Sequence, residues 1–227
     1  MDLLDIARGP VLAFALSVFV LGSAWRLIGL WRRPSMRDLS APRAGAPSKL
    51  SGALRAVVRG MWPHQEFGQT TLVMSINAYV FHIGLALVFF GYAPHIAFIH
   101  RISGLRWSAL PDPVMYLAAG VTIISLLMAL FYRLTSPVLR KISNLEDMIS
   151  WTAVFLPLVT GMAVVGETST AILARDHVIY GVPLALHLLT LELLLIWFPF
   201  GKLMHAFLFV LARGATGIRF SHRGVDL

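Results

Sequence analysis

The chain has no cysteine. Disulfides, thiolate-bound zinc, cysteine-held iron–sulfur clusters and thioether-linked haem are all excluded, so any metal or cofactor must be held by histidine, methionine or carboxylate. Charge is scarce too: 13% of the 227 residues are charged and 57% are hydrophobic, with a mean hydropathy of +0.75. Such a chain cannot present an ordinary water-facing surface. Acidic residues are the rarer sign, 11 against 19 basic, and the net charge of +8 raises nucleic acid as a partner. The arginines, however, sit in the connections between apolar runs rather than along one amphipathic face, so membrane topology explains them and no nucleic acid is expected. The start, Met1-Asp2-Leu3-Leu4-Asp5, lacks the basic segment of a signal peptide, and no small-residue cleavage site follows the apolar run. The first helix is expected to stay.

A membrane span needs about 20 apolar residues to cross about 30 Å of hydrocarbon. Five segments qualify, at residues 9–31, 72–99, 113–132, 149–166 and 181–211. They predict an all-α polytopic membrane protein, a single five-helix bundle. The first connection, residues 32–71, carries Arg32, Arg33, Arg37, Arg43, Lys49, Arg55 and Arg59 against Asp38 and Glu66. Its middle, 40–48, reads as linker, and 50–61 as a short amphipathic helix on the membrane surface. With Arg140, Lys141, Arg213, Arg219 and Arg223, one side of the membrane holds twelve basic residues, against Arg8, Arg101, Arg106 and Arg175 on the other. Arg26, Arg133 and Lys202 fall inside spans or at their ends. The imbalance orients the N-terminus outside and the C-terminus in the cytoplasm.

Ionisable residues inside a membrane are costly and default to functional hypotheses. Four histidines stand out. His82 and His95 lie on the second expected span, and His187 and His205 on the fifth, while His100 is at the rim and His64, His177 and His222 lie outside. His187 and His205 are 18 residues apart, five whole helical turns, so on one helix both point from one face about 27 Å apart along the axis. His82 and His95 are 13 apart, a rise of about 20 Å with an angular mismatch of about 140° on a straight helix, which tilt and a Pro94 kink can reduce. The two spans run oppositely, so His82 pairs with His205 near the cytoplasmic level and His95 with His187 near the outer level. Two facing imidazoles are what a haem iron needs for axial ligation inside a bundle. The bland alternative is that each histidine bonds a neighbouring carbonyl or reaches for a headgroup. A non-haem site would need histidines and carboxylates converging at one level, and the nearby carboxylate of the fifth span is Glu192.

Two stretches carry a resemblance: Phe81-His82-Ile83-Gly84-Leu85 and Phe198-Pro199-Phe200-Gly201-Lys202-Leu203-Met204-His205. At these residues the chain resembles the cytochrome b (gamma) subunit of respiratory nitrate reductases and related cytochrome b subunits of sulfur-metabolising electron-transfer complexes. The resemblance implies a di-haem b protein of the prokaryotic inner membrane, exchanging electrons between quinol or quinone and a cytoplasmic iron–sulfur subunit beside a terminal catalytic subunit. It implies His82 and His205 as ligands of the inner haem and His187 as a ligand of the outer. The family's second outer histidine follows the first by ten residues, and that position here is Tyr92. Three readings stay open: His95 is the ligand, Tyr92 is the ligand, or the outer haem has another ligand or is absent.

Lys202 is read as a partner for a haem propionate or as a snorkelling anchor, with Arg26 and Arg133 sharing the ambiguity. Quinol chemistry beside the outer haem needs polar groups that bind and move protons, and Tyr92, His100, Arg101 and Asp112 are the candidates at that level. Trp151 and Trp197 read as lipid-facing or packing groups. The rival readings are a haem-free membrane anchor or proton-coupled transporter subunit, with Glu192 as its one mid-span acid, and a cytochrome that serves a periplasmic partner.

Overall fold

The computed structural model describes residues 2–33, 38–62, 68–164 and 177–225, with side chains in the last two stretches from Thr71 and Gly181 onward. Arg37, His64, Glu66, Arg175, the side chain of His177 and the end of the fourth expected span at Gly166 lie outside the described residues. Among those described there are helices and no strand. They run α1 (Leu3–Trp31), α2 (Lys49–Arg59), α3 (Gly68–Gly91), α4 (Ala93–Ser103), α5 (Asp112–Thr135), α6 (Pro137–Ile142), α7 (Leu145–Val164), α8 (His177–Trp197) and α9 (His205–Arg223). A π turn at Ala7–Val11 absorbs Pro10 inside α1.

Among the described residues five helices are long and apolar enough, by length and composition, to cross a bilayer: Leu3–Trp31, Thr71–Gly91, Asp112–Thr135, Leu145–Val164 and Lys202–Arg223. The surface is apolar to match. Leu21, Trp25, Ile124 and Phe131 are between 66% and 77% exposed, whereas Ala7, Ala15, Thr122 and Ala185 are wholly buried. Small residues inside and large apolar ones outside are the packing of helices in lipid, where close backbone approach replaces the hydrophobic effect. The protein is a helical membrane protein.

Two seams build the bundle. On α3, Asn77, Gly84 and Gly91 recur every seven residues and meet α5. The Asn77 amide donates to the Ser125 carbonyl at 3.0 Å, and the Ser125 hydroxyl lies 2.9 Å from the Asn77 carbonyl and 2.8 Å from its side-chain oxygen. Interhelical bonds of this kind contribute about 0.6 kcal/mol each in a membrane. At Gly84 a Cβ would overlap the Thr122 hydroxyl, so glycine sets the α3–α5 distance. The second seam joins α8 to α7 and α1. Thr160 and Thr190 share a 2.9 Å hydrogen bond, and the Trp197 indole donates to Ser150 at 2.9 Å. On the α1 side Leu4 and Ala7 pack with Ala185, and Phe19 meets Phe198 edge-on at 5.1 Å.

Two expected spans are broken. Residues 72–99 do not form one helix with a kink: α3 ends at Gly91, Tyr92 is extended (φ −81°, ψ 128°), and α4 restarts with Pro94 in its first turn. Proline fits a first turn, where its missing N–H is no loss, and it cannot continue the helix before it. Residues 181–211 likewise split. The Phe198–Gly201 corner contains Pro199 and Gly201, and the chain resumes through a 3-10 turn at Lys202–Met204 into α9. Arg26 holds this corner by donating to the Pro199 carbonyl at 2.9 Å and the Phe200 carbonyl at 3.3 Å. By position α8 occupies the place of the fifth expected span, between α1 and α7, while α9 pairs with α2. That pairing is antiparallel and close, with Gly52 against Gly217 and Ser221 and Gly60 beside Arg213. The expected amphipathic helix at 50–61 is thus present as α2. Its packing face carries Gly52 and Ala56, and Leu50, Leu54 and Val58 stand 70%, 57% and 60% exposed.

Candidate functional site

The four histidines singled out by the sequence come together as two pairs. His82, near the middle of α3, faces His205 at the start of α9, with ring centroids 6.2 Å apart and planes at 88°. His95, in the first turn of α4, faces His187 on α8, with centroids 6.3 Å apart and planes at 16°. Neither pair depends on the straight-helix geometry read from the spacing. The breaks at Tyr92 and at Phe198–Gly201 carry His95 and His205 on separate short elements, so the 140° mismatch no longer applies.

Each pair shares a second feature. The His82 Nδ1 lies 2.7 Å from the Ala78 carbonyl, the His95 Nδ1 3.0 Å from the Val88 carbonyl and the His205 Nδ1 2.8 Å from the Lys202 carbonyl. A carbonyl oxygen only accepts, so Nδ1–H is the donor and the lone pair stays on Nε2. The His187 Nδ1 has a longer contact, 3.4 Å, to the Thr160 hydroxyl, whose own hydrogen goes to the Leu156 carbonyl at 2.7 Å. Donating the other ring N–H to an oxygen is how metal-binding histidines are commonly oriented. An imidazole–metal nitrogen bond is about 2 Å and the ring centre lies about 1 Å further back, so two imidazoles on one metal have centroids about 6 Å apart. Both pairs match that separation, and the residues present fit an axially ligated haem at each level. Among the described residues no group of three or more His, Asp or Glu converges to hold a bare metal ion.

The local chain explains the outer arrangement. A helix end leaves its last four carbonyls without amide partners. At the α3 terminus His95 takes the Val88 carbonyl, the Trp107 indole takes Phe90 at 2.6 Å, and the Leu110 amide takes Gly91 at 2.8 Å. Gly161 on α7 lets that helix approach His187: a Cβ there would stand 3.1 Å from the imidazole Cε1.

No family model matches the chain, and no solved structure matches it. A protein of Nitratidesulfovibrio vulgaris strain Hildenborough that carries no functional name is 30% identical over 216 residues, covering 94% of this chain and 91% of that protein. The chain belongs to that protein's family. The relationship runs nearly end to end in both proteins.

Lys202 has a role that the sequence does not disclose. Its ammonium bonds Asp147 at 2.7 Å, across 55 residues of chain, and Arg133 approaches the same carboxylate at 3.5 Å. The Asp147 side chain is 8% exposed. Because the Lys202 carbonyl receives the His205 Nδ1–H, the Asp147–Lys202 pair fixes the turn that aims His205. Asp147→Asn is therefore expected to cost about 2 kcal/mol of stability, the scale of a hydrogen bond to a charged group. A thermal melt in detergent checks this, and Asp147→Glu should recover most of the loss.

Of the four polar candidates at the outer level, Tyr92 alone adjoins a histidine pair. Its ring lies 5.2 Å from that of His95, and its hydroxyl is buried with no hydrogen-bond partner among the described residues. His100 is occupied by the Gly104 carbonyl at 3.1 Å, Arg101 is exposed with its guanidinium 6.0 Å from the Phe98 ring, and Asp112 opens α5 half-buried. Trp151 and Trp197 are not lipid-facing alone: each indole N–H makes an interhelical bond, Trp151 to the Leu126 carbonyl at 3.0 Å. Glu192 is 1% exposed with neither carboxyl oxygen bonded among the described residues. Seven-residue spacing puts it on the face of α8 shared by Ala185 and Pro199, the face that meets α1, and about 140° around the helix from His187.

Proposed function

We propose that this protein is the membrane cytochrome b subunit of a respiratory oxidoreductase in the prokaryotic inner membrane, with its N-terminus outside and its C-terminus cytoplasmic. It exchanges electrons between quinol or quinone and a cytoplasmic iron–sulfur subunit. The observation that carries this reading is the two facing histidine pairs at 6.2 and 6.3 Å. Two b haems, when bound, supply one-electron carriers at two depths of the bilayer. His82 and His205 hold the inner one and His95 and His187 the outer. The four Nδ1–H bonds keep each Nε2 available and each ring turned, which is the protein's part in ligation. Both levels lie among apolar helices, the outer pair half-buried and the inner pair on an exposed face of the bundle. Tyr92 is the polar group placed to bond a quinol hydroxyl beside the outer pair and to relay its proton, taking it on the hydroxyl oxygen as its own hydroxyl hydrogen passes to water. The chain carries no iron–sulfur motif and no nucleotide fold, so it works beside an iron–sulfur subunit and a terminal catalytic subunit. The α2–α9 pair, with Arg55, Arg59, Arg213 and Arg219, offers the basic surface for docking them.

Low-temperature EPR of the oxidised protein tests this reading. Perpendicular imidazole planes leave two of the iron d orbitals nearly equal in energy, whereas parallel planes split them. The 88° and 16° pairs therefore predict two low-spin ferric signals, a highly anisotropic one for the inner site and a rhombic one for the outer. A single signal, or high-spin iron alone, contradicts the reading.

One observation favours the second reading, a haem-free anchor or proton-handling subunit, and it is the unpartnered Glu192. A proton path needs a chain of such groups. Glu192 turns to α1 rather than toward the histidines, which leaves the first reading the stronger.

A further inference from the structure

Where α5, α6 and α7 meet, at the end of the bundle that holds Lys202 and Asp147, lies an open pocket of about 430 Å³. Its lining is polar at Arg133, Arg140, Ser143 and Asn144 and apolar at Leu134, Leu145 and Met148. The Ser143 hydroxyl donates to the Leu139 carbonyl at 2.7 Å and accepts from Arg133 at 2.8 Å, so it holds that guanidinium at the pocket. The Arg140 side chain is exposed and makes no hydrogen bond or ion pair among the described residues. The nearby carboxylate, Asp147, is already shared by Arg133 and Lys202, and Glu146, Lys141 and Arg140 complete the local charges, which leaves the corner net positive. Around the rim Leu134, Val138, Ile142 and Leu145 are 54%, 69%, 66% and 75% exposed.

We propose that this corner is a binding site for one anionic phospholipid. Its phosphodiester sits on Arg140 and Arg133, and its acyl chains lie along Leu134, Leu145 and Met148. Guanidinium groups match phosphate oxygens in planar pairs of charge-assisted hydrogen bonds. Basic pockets between membrane helices on the cytoplasmic side are where anionic headgroups bind. The apolar lining selects the lipid over free phosphate, because inorganic phosphate gains nothing from it. The site contains no histidine, and its failure leaves the haem reading untouched.

Native mass spectrometry on the delipidated, detergent-purified full chain tests it, titrating with short-chain phosphatidylglycerol or phosphatidylcholine. Phosphatidylglycerol is expected to bind about tenfold more tightly, because phosphatidylcholine carries the same phosphodiester but brings a fixed ammonium into a net positive corner. Arg140→Ala should abolish that preference, and Arg106→Ala, which removes an equal charge from the exposed connection between α4 and α5, should retain it. Inorganic phosphate at the same concentration should not displace the lipid. Equal affinity for the two lipids, equal losses in the two variants, or displacement by phosphate would each overturn the proposal.

Discussion

His205→Ala is expected to lower bound haem from two per polypeptide to one, and His82→Ala to remove the same one. The His82 and His205 rings face each other at 6.2 Å, so either loss leaves a single axial imidazole on an exposed face of the bundle. The double variant should then lose no more than either single one, because the two side chains serve one site and their effects are not additive. Combining His82→Ala with His187→Ala, one from each pair, should leave no haem. The bundle itself should survive. His205 is exposed, its ring bonds the Lys202 carbonyl three residues away, and alanine is the best helix former for the opening of α9. Optical spectra of the reduced variants, beside a melting curve for each, check both halves. If His82→Ala and His205→Ala removed different haems, the pairing would be wrong.

At the outer level, His95→Ala and Tyr92→Phe should separate ligation from proton handling. The His95 and His187 rings lie 6.3 Å apart with planes at 16°, while Tyr92 lies beside His95 with its ring edge-on. His95→Ala should cost the outer haem and abolish reduction by quinol. Tyr92→Phe should keep both haems and slow reduction about a hundredfold, the lower end of what one positioned proton-transfer group contributes. Stopped-flow reduction by a soluble quinol analogue reads the rate, and haem content reads the ligation. Loss of haem in Tyr92→Phe with none in His95→Ala would make the tyrosine the ligand.

These expectations rest on features that the sequence disclosed unevenly. Apolar runs of span length are written directly in composition, and the helical architecture follows from them. The amphipathic helix at α2 was readable from its alternation of leucines with basic residues. The breaks at Tyr92 and Phe198–Gly201 were signalled by Pro94, Pro199 and Gly201, yet proline in a membrane helix produces a kink or a stop depending on neighbours. Here the stops place His95 and His205 opposite their partners. The Asp147–Lys202 pair was not readable, because it joins residues 55 apart through a corner whose geometry exists only after folding. The same holds for Arg26, whose bonds to the Pro199 and Phe200 carbonyls span the bundle. Glu192 was visible as a mid-span acid, but its direction was not. That depends on which face of α8 meets α1, and the seven-residue stripe through Ala185 and Pro199 reveals it only once the neighbours are known.

The central claim is that four histidines form two haem sites, and the pyridine haemochrome assay on the detergent-purified, haem-supplied full chain tests it most directly. Two haem b per polypeptide is the predicted result. A well-folded preparation with none would contradict the account and turn attention to the buried carboxyl of Glu192.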